Sequence, residues 1–304
     1  KRRMINRIED LVTAAKLKHN MPCVAAAAAN DSNVIESINL AKEAGIIAGA
    51  WLIGPETDIR KIAADDGVGL GPFEVINEPD PLAAIEKSIK LLVDKKCDIL
   101  MKGKVTTGDL MKKVLDKQYG FRTERAMSHI GVFTSPGENR IMLLTDAGIN
   151  IAPGLSRKRD IILNAVDVAQ CLGIERPKVA VLSFIETNDS TAQSVVDAIM
   201  LVNMNQNGEI PGCVVEGPYA LDNAISPESA RIKKLKGEVA GRADILVAHD
   251  INVGNALYKA LGIWSKAVLA AVVAGSKIPI VVPSRADSKE TKLHSIALAS
   301  LLVK

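Results

Sequence analysis

The stretch CVAAAAANDSNVIESINLAKEAGIIAGAWLIGP, residues 23–55, decides the fold class. Residues 23–29 are a short apolar run that stops at Asn30-Asp31-Ser32, residues suited to cap a helix. Residues 33–44 read as that helix, Gly45 stops it, and 46–53 form a second buried strand ended by Gly54-Pro55. The rhythm then continues with a helix over 57–64, a strand over 73–76, a helix over 80–94, a strand over 99–102 and a helix over 107–117. Ahead of it, Ile5, Ile8, Leu11, Val12 and Ala15 give residues 4–17 the spacing of an amphipathic helix. Buried strands bounded by turns and alternating with helices predict βαβ units and a largely parallel sheet, in a doubly wound α/β protein.

The second half keeps the same rhythm. Strands are expected over 142–144, 179–184, 214–216 and 245–248, with helices from about 156 to 172, over 192–204 and over 254–261. The closing unit is expected as a helix over 265–275, a strand over 278–282, a loop over 283–287 and a helix over 289–303. No linker, low-complexity stretch or short repeat interrupts the pattern.

Length and composition bound the function. The chain has 304 residues, and at roughly 150 residues per domain this means two domains or one large α/β unit. Its 38 basic and 35 acidic residues leave a net charge of +3, which argues against a protein built to coat nucleic acid or an anionic membrane. Aromatic residues are 3 %, too few for single-strand stacking platforms. An anion must therefore be held by a few placed Lys, Arg and backbone groups. Cys23, Cys97, Cys171 and Cys213 lie far apart, in or beside apolar segments, without zinc spacing, so buried, reduced thiols are expected rather than disulfides or a metal site. The apolar run 267–274 is far short of the ~20 residues of a spanning helix. Lys1-Arg2-Arg3 is followed by Arg7, Glu9 and Asp10 where a signal peptide would be apolar. A cytoplasmic protein without a membrane span is expected.

The common catalytic motifs are missing. Gly67-Val68-Gly69-Leu70-Gly71 lacks the spacing of a dinucleotide fingerprint and precedes a strand. Gly103-Lys104 has neither the earlier glycine nor the following Ser or Thr of a P-loop. No G-x-S-x-G elbow or H-E-x-x-H occurs, and the four histidines are dispersed.

Open α/β sheets bind ligands at the carboxyl ends of their strands, which directs attention to the strand-to-helix loops. Lys102-Gly103-Lys104-Val105-Thr106-Thr107-Gly108-Asp109 holds two lysines, two hydroxyls and two glycines ahead of a helix N-terminus, a phosphate cradle by composition. The same residues also read as a Thr N-cap with solvated lysines. Pro283-Ser284-Arg285-Ala286-Asp287-Ser288 offers a guanidinium fork and a hydroxyl, or simply a helix cap with Arg285 paired to a carboxylate. A third group, Glu216 to Asn223 and His249 to Asn255, concentrates Asp, Asn and Gly after two short strands. Capping explains such residues equally well, and a cleft between domains is the functional reading.

Ordered blocks of residues add to this. Met101-Lys102-Gly103 with Thr107, Ser128-His129, Thr145-Asp146-Ala147 with Asn150-Ile151-Ala152-Pro153, Gly217-Pro218 with Ala220 to Ser226, Val239-Ala240-Gly241, Gly254-Asn255 with Tyr258 to Leu261, and Ser284 to Ser288 resemble the phosphate acetyl/butyryltransferases. Glu290 to Leu293 and Ser295 to Ala299 extend the last block, which with Ala220 to Ser226 is closer to the butyryl branch. Differences from that branch are Lys112, Glu216, Tyr219, His249, Asn252 and the segment 187–193.

The resemblance implies a two-domain αβα architecture with largely parallel sheets, like the isocitrate and isopropylmalate dehydrogenases but without a nicotinamide cofactor. It implies a discontinuous domain I, residues 1–147 plus 265–304, and a domain II of 148–264. The implied reaction exchanges the acyl group of a short-chain acyl-CoA, butyryl-CoA before acetyl-CoA, with phosphate by direct transfer, giving acyl phosphate and CoA. Coenzyme A is then a substrate, with no tightly bound cofactor, no metal, and no nucleic-acid or membrane partner. Ser284, Arg285 and Asp287 are the catalytic candidates, Asp287 as base, with Glu290 and Asp222 as other carboxylates. Lys102, Thr106, Thr107 and Arg285 are the phosphate-binding candidates. His129, Asp222, Asn223, Asp250 and Asn255 are the candidates facing substrate and CoA. A homo-oligomer is implied as well. Two alternatives stay open: a metal- and NAD-dependent β-decarboxylating dehydrogenase, and a catalytically weak protein that binds CoA or acyl phosphate.

Overall fold

The computed structural model describes residues 4–135, 137–188, 191–284 and 287–303. It divides into two compact units, a first of Ile8–Glu124 with Val268 onward, and a second of Arg125–Ala267 with the segment ending at Arg7.

In the first unit α1 (Asp10–Lys16) leads into β1 (Cys23–Ala27). Val24 to Ala27 are fully buried, and a strand covered on both faces has no reason to alternate apolar with polar residues. Asp31 then accepts the Val34 amide at 3.0 Å and starts α2 (Ser32–Glu43). β2 (Gly49–Gly54), α3 (Glu56–Asp65), β3 (Phe73–Asn77), α4 (Pro81–Val93), β4 (Ile99–Lys102) and α5 (Thr107–Val114) follow. β1 lies between β2 and β4 with Val24 opposite Ala50 and Ile99, and all these pairings are parallel.

The second unit opens with an antiparallel hairpin of β5 (Ser128–Thr134) and β6 (Ile141–Thr145). α6 (Leu155–Cys171), β7 (Lys178–Leu182), α7 (Gln193–Gln206) and β8 (Val214–Tyr219) come next. The short helices α8 (Leu221–Ile225) and α9 (Pro227–Ile232), then β9 (Ile245–Val247) and α10 (Ile251–Ile263), complete it. Its strand order is β5-β6-β9-β7-β8, parallel from β6 onward.

The chain then rejoins the first unit through β10 (Leu269–Ala274), β11 (Ile280–Val281) and α11 (Lys289–Leu302), extending its order to β3-β2-β1-β4-β11-β10. β11 is parallel to β4, Ile280 opposite Leu100, and antiparallel to β10. α11 packs on α1, α2 and β10. Lys18 closes its end, with Nζ 2.7 Å from the Ser300 carbonyl and 2.8 Å from that of Val303.

The structure corrects several expectations. Residues 269–274 of the expected helix 265–275 are the strand β10. Leu269 to Val273 are all buried, and so short an apolar run carries no period that separates strand from helix. β5 was expected as no element, and two of the pairings are antiparallel. By contacts, residues 125–147 group with the second unit, where β6 pairs with β9, Leu144 opposite Leu246. None of the four cysteines is in a disulfide, but Cys23 and Cys171 are half-buried rather than buried. Among the described residues, no helix is long and apolar enough to cross a membrane.

Candidate functional site

In the first unit the candidate residues lie at the carboxyl ends of β1, β4 and β11. Gly103 follows β4 and donates its amide to the Ala27 carbonyl at 2.9 Å, while Lys104 donates to Ala28 at 2.8 Å. A Cβ on Gly103 would sit 2.1 Å from the Ala28 oxygen, so only glycine permits this approach. The loop is thereby fixed to the end of β1. Lys102 is buried, and its Nζ donates to the carbonyls of Gly103 at 3.2 Å and Val105 at 3.1 Å.

Thr106 caps α5: its Oγ1 accepts the Asp109 amide at 3.0 Å and donates to Asp109 Oδ2 at 2.6 Å. The hydroxyl is therefore committed locally, which favours the capping reading for Thr106. The amides of the first turn, from Thr107 onward, remain the anion-facing feature of such a helix start.

After β11, Ser284 and Asp287 bond to each other. Ser284 donates its amide to Asp287 Oδ2 at 2.7 Å, and the Asp287 amide returns to the Ser284 carbonyl at 3.2 Å. Burial raises the Asp287 carboxyl above its ordinary value, against the Ser284 hydrogen bond and the charges of Lys292 and Lys102, which all favour the anion. Lys292, on α11, is essentially inaccessible, 3.8 Å from Asp31 Oδ1. Sequence reasoning gave it no role, because a lysine one turn into a helix normally reaches solvent. Arg285 lies outside the described residues. The other carboxylate of this region, Glu290, is exposed at the start of α11, and its carboxyl is lowered by hydrogen bonds from its own amide and from Ser288.

In the second unit a buried carboxylate organises the candidates. Asp146 follows β6, joined to it by a cis Thr145–Asp146 peptide. Its oxygens accept the amides of His129 (3.2 Å), Gly148 (2.8 Å), Ile149 (3.0 Å) and Asn150 (3.1 Å), and the Asn150 side chain at 2.6 Å. A Cβ on Gly254 would come 2.1 Å from the Asp146 carbonyl, so α10 starts against this turn. Asp250 caps α10 through the Val253 amide at 3.0 Å, and Asn255 donates to the Ala147 carbonyl at 3.0 Å.

His129, Asp250 and Asn255 thus gather around the Asp146 turn. The His129 ring is buried, edge-on to Tyr258 with centroids 5.3 Å apart, and its Nδ1 has no hydrogen-bond partner among the described residues. Burial lowers its pKa, and nearby Asp146 opposes the shift only in part. Asn223 is buried elsewhere, on α8, donating to Glu186 Oε2 at 3.3 Å, and its neighbour Asp222 is exposed.

One cluster was missed in the sequence. The buried Lys158 Nζ lies 2.5 Å from Asp197 Oδ2 and 2.8 Å from His249 Nδ1. A lysine donor requires Nδ1 to accept, which puts the imidazole proton on Nε2. Burial and the Lys158 charge lower the His249 pKa, against Asp197 and Asp250. Three residues from three distant segments carry no common signal in the sequence.

Comparison with known proteins completes the picture. A phosphate butyryltransferase from Clostridium acetobutylicum is 42 % identical over 299 residues, covering 98 % of this chain and 99 % of that protein. A phosphate acetyltransferase from Thermotoga maritima is 42 % identical over 294 residues, covering 97 % and 99 %. The crystal structure of a branched-chain phosphotransacylase from Enterococcus faecalis V583 superposes with a TM-score of 0.81 at 29 % identity, covering 93 % of this chain and 100 % of that one. The family model described as Phosphate acetyl/butaryl transferase matches residues 82–300. On this agreement of sequence and dehydrogenase-like fold, the chain belongs to the phosphate acetyl/butyryl transferase family and is an acyltransferase.

Proposed function

We propose that the protein exchanges the acyl group of a short-chain acyl-CoA, with butyryl-CoA favoured and acetyl-CoA accepted, with inorganic phosphate in a single ternary complex. The observation that carries this reading is the Ser284–Asp287 turn. It holds one partly buried carboxyl of raised pKa under the influence of two buried lysines.

A free thiol has a pKa of about 8.5, so a base with a raised pKa is better matched to it than an ordinary carboxylate. In the direction of acyl-CoA synthesis, Asp287 takes the proton of the CoA thiol. The sulfur attacks the acyl phosphate carbonyl, the oxyanion collapses, and phosphate leaves. No protein nucleophile is needed. Glu290, exposed and with a lowered pKa, is the weaker base, and Asp222 is exposed in the other unit.

Phosphate is assigned to Arg285, Lys102 and the start of α5 at Thr106 and Thr107, with the Ser284 hydroxyl nearby. His129, Asp222, Asn223, Asp250 and Asn255 are assigned to the acyl and CoA side. Coenzyme A acts as a substrate, and the reaction as written requires no bound cofactor. The dehydrogenase reading has less support, since the relatives that span the chain are named as transferases.

The reading also takes the protein as a cytoplasmic homo-oligomer. α10 supports the association: Gly254 is its one buried residue, and Ile263 and Trp264 are 68 % and 85 % exposed.

The test is thiol release from acetyl-, propionyl- and butyryl-CoA with and without phosphate. Phosphate-dependent release, fastest with butyryl-CoA, is expected. Release independent of phosphate, or none, sinks the proposal. Arg285→Ala should lower kcat/KM by at least ~100-fold.

A further inference from the structure

Two thiols outside the chemistry above meet in the first unit. Cys23 opens β1 and Cys97 lies two residues before β4, and their sulfurs are 3.4 Å apart. Ala27 and Lys102, at the far ends of these same strands, carry the loop assigned to phosphate. The thiol pair is therefore at the opposite end of the sheet from that loop.

Four further features shape its reactivity. Cys23 is half-buried and Cys97 buried, so reagent meets Cys23 first. The two sulfurs share a hydrogen bond that lowers the Cys23 pKa and raises that of Cys97. Asp98, whose Oδ2 accepts the Cys23 amide at 2.8 Å, opposes both thiolates. Asp94, Lys95 and Lys96 on the approach are exposed, and together with Asp98 they leave no net charge there.

We propose that Cys23 and Cys97 form a redox modification site that closes into a reversible disulfide, with small-molecule disulfides as its oxidants. The Cys23 thiolate attacks one sulfur of R–S–S–R, forming Cys23–S–S–R and expelling RS⁻, which takes up the proton Cys23 lost. Cys97, as thiolate, then attacks the Cys23 sulfur, forming the intramolecular disulfide and expelling the second RS⁻, which takes the Cys97 proton. Two protein thiols are oxidised and one disulfide is reduced to two thiols. A disulfide is ~2.05 Å long, so the sulfurs need to approach by only about 1.4 Å.

The experiment treats the reduced full-length protein with oxidised glutathione and follows intact mass and the non-reduced peptide map. Expected is a loss of about 2 Da with the Cys23 and Cys97 peptides linked, reversed by dithiothreitol, while Cys97→Ser stops at a mixed disulfide on Cys23, a gain of about 305 Da. Cys23→Ser should show neither change at these positions. A wild-type protein that stays reduced, that keeps glutathione on Cys23 without closing, or that links Cys171 or Cys213 instead would overturn the proposal. The wild-type result decides the matter even if a variant folds poorly.

Discussion

Asp287 carries a fold cost, and the role of base proposed for it gives that cost a use. A carboxyl whose folded pKa is raised above its unfolded value near 3.9 holds its proton more tightly in the folded state, so its contribution to stability is lost as pH rises through the folded value. At neutral pH the charged form is thus a burden on the fold, and it is the form a base must have. Asp287→Asn should therefore lower kcat by ~100-fold or more while leaving the thermal midpoint unchanged or higher. Steady-state rates and a melting curve check the two halves. The wild-type pH profile of kcat/KM should show an acid limb above the ordinary carboxylate range. Asp146 is the opposite case, a carboxylate that serves structure. Asp146→Ala leaves four backbone amides and the Asn150 side chain without their acceptor. It should cost about 3 kcal/mol or more in urea unfolding. Ser284 and Asp287 were named as candidates because a hydroxyl and a carboxylate sit in one short loop after a strand. Lys292, Lys158 and His249 were not, since a buried charge is made by partners that only the fold brings near.

Among the elements, the loop at 102–107 depends on a backbone approach that a side chain forbids. Gly103→Ala would place Cβ 2.1 Å from the Ala28 oxygen and 2.8 Å from that of Ala27. Neither carbonyl can yield without breaking the bonds to Gly103 and Lys104. A loss of about 2–3 kcal/mol in urea unfolding is expected, with a raised KM for phosphate in any protein that remains folded. The capped elements were the legible ones. Asp31 before α2, Asp80 before α4 and Ser288 before α11 each accept the amides that the sequence pattern assigns to a helix start. β10 and β5 were not legible. Residues 269–274 are aliphatic throughout, so neither a helical nor a strand period can be read, and Ser128-His129 starts β5 with two buried polar residues.

For the whole molecule, α10 is the feature that a single chain leaves unexplained. Its Ile263 and the adjoining Trp264 are large apolar side chains left exposed. For the proposed homo-oligomer, Trp264→Glu should shift the protein toward monomer, read by sedimentation at several concentrations, and an unchanged assembly would remove this face as the contact. Membership of the family was legible in the sequence because its blocks recur in order along the chain. The grouping of β5 and β6 carried no such signal, since β6 is held by its pairing with β9 and β5 by its pairing with β6.

The return of the chain through β10, β11 and α11 has a consequence for biosynthesis. β4 gains its second neighbour only when residues 280–281 pair with it, and α2 gains its cover only when α11 docks. Translation proceeds from the amino terminus, so the whole second unit is available to fold before the first can close. Until then the first unit holds an open strand edge and an uncovered apolar helix face, both prone to aggregation. β11 and α11 act as its latch, and a ribosome stalled near residue 265 would display the half that cannot yet bury its core.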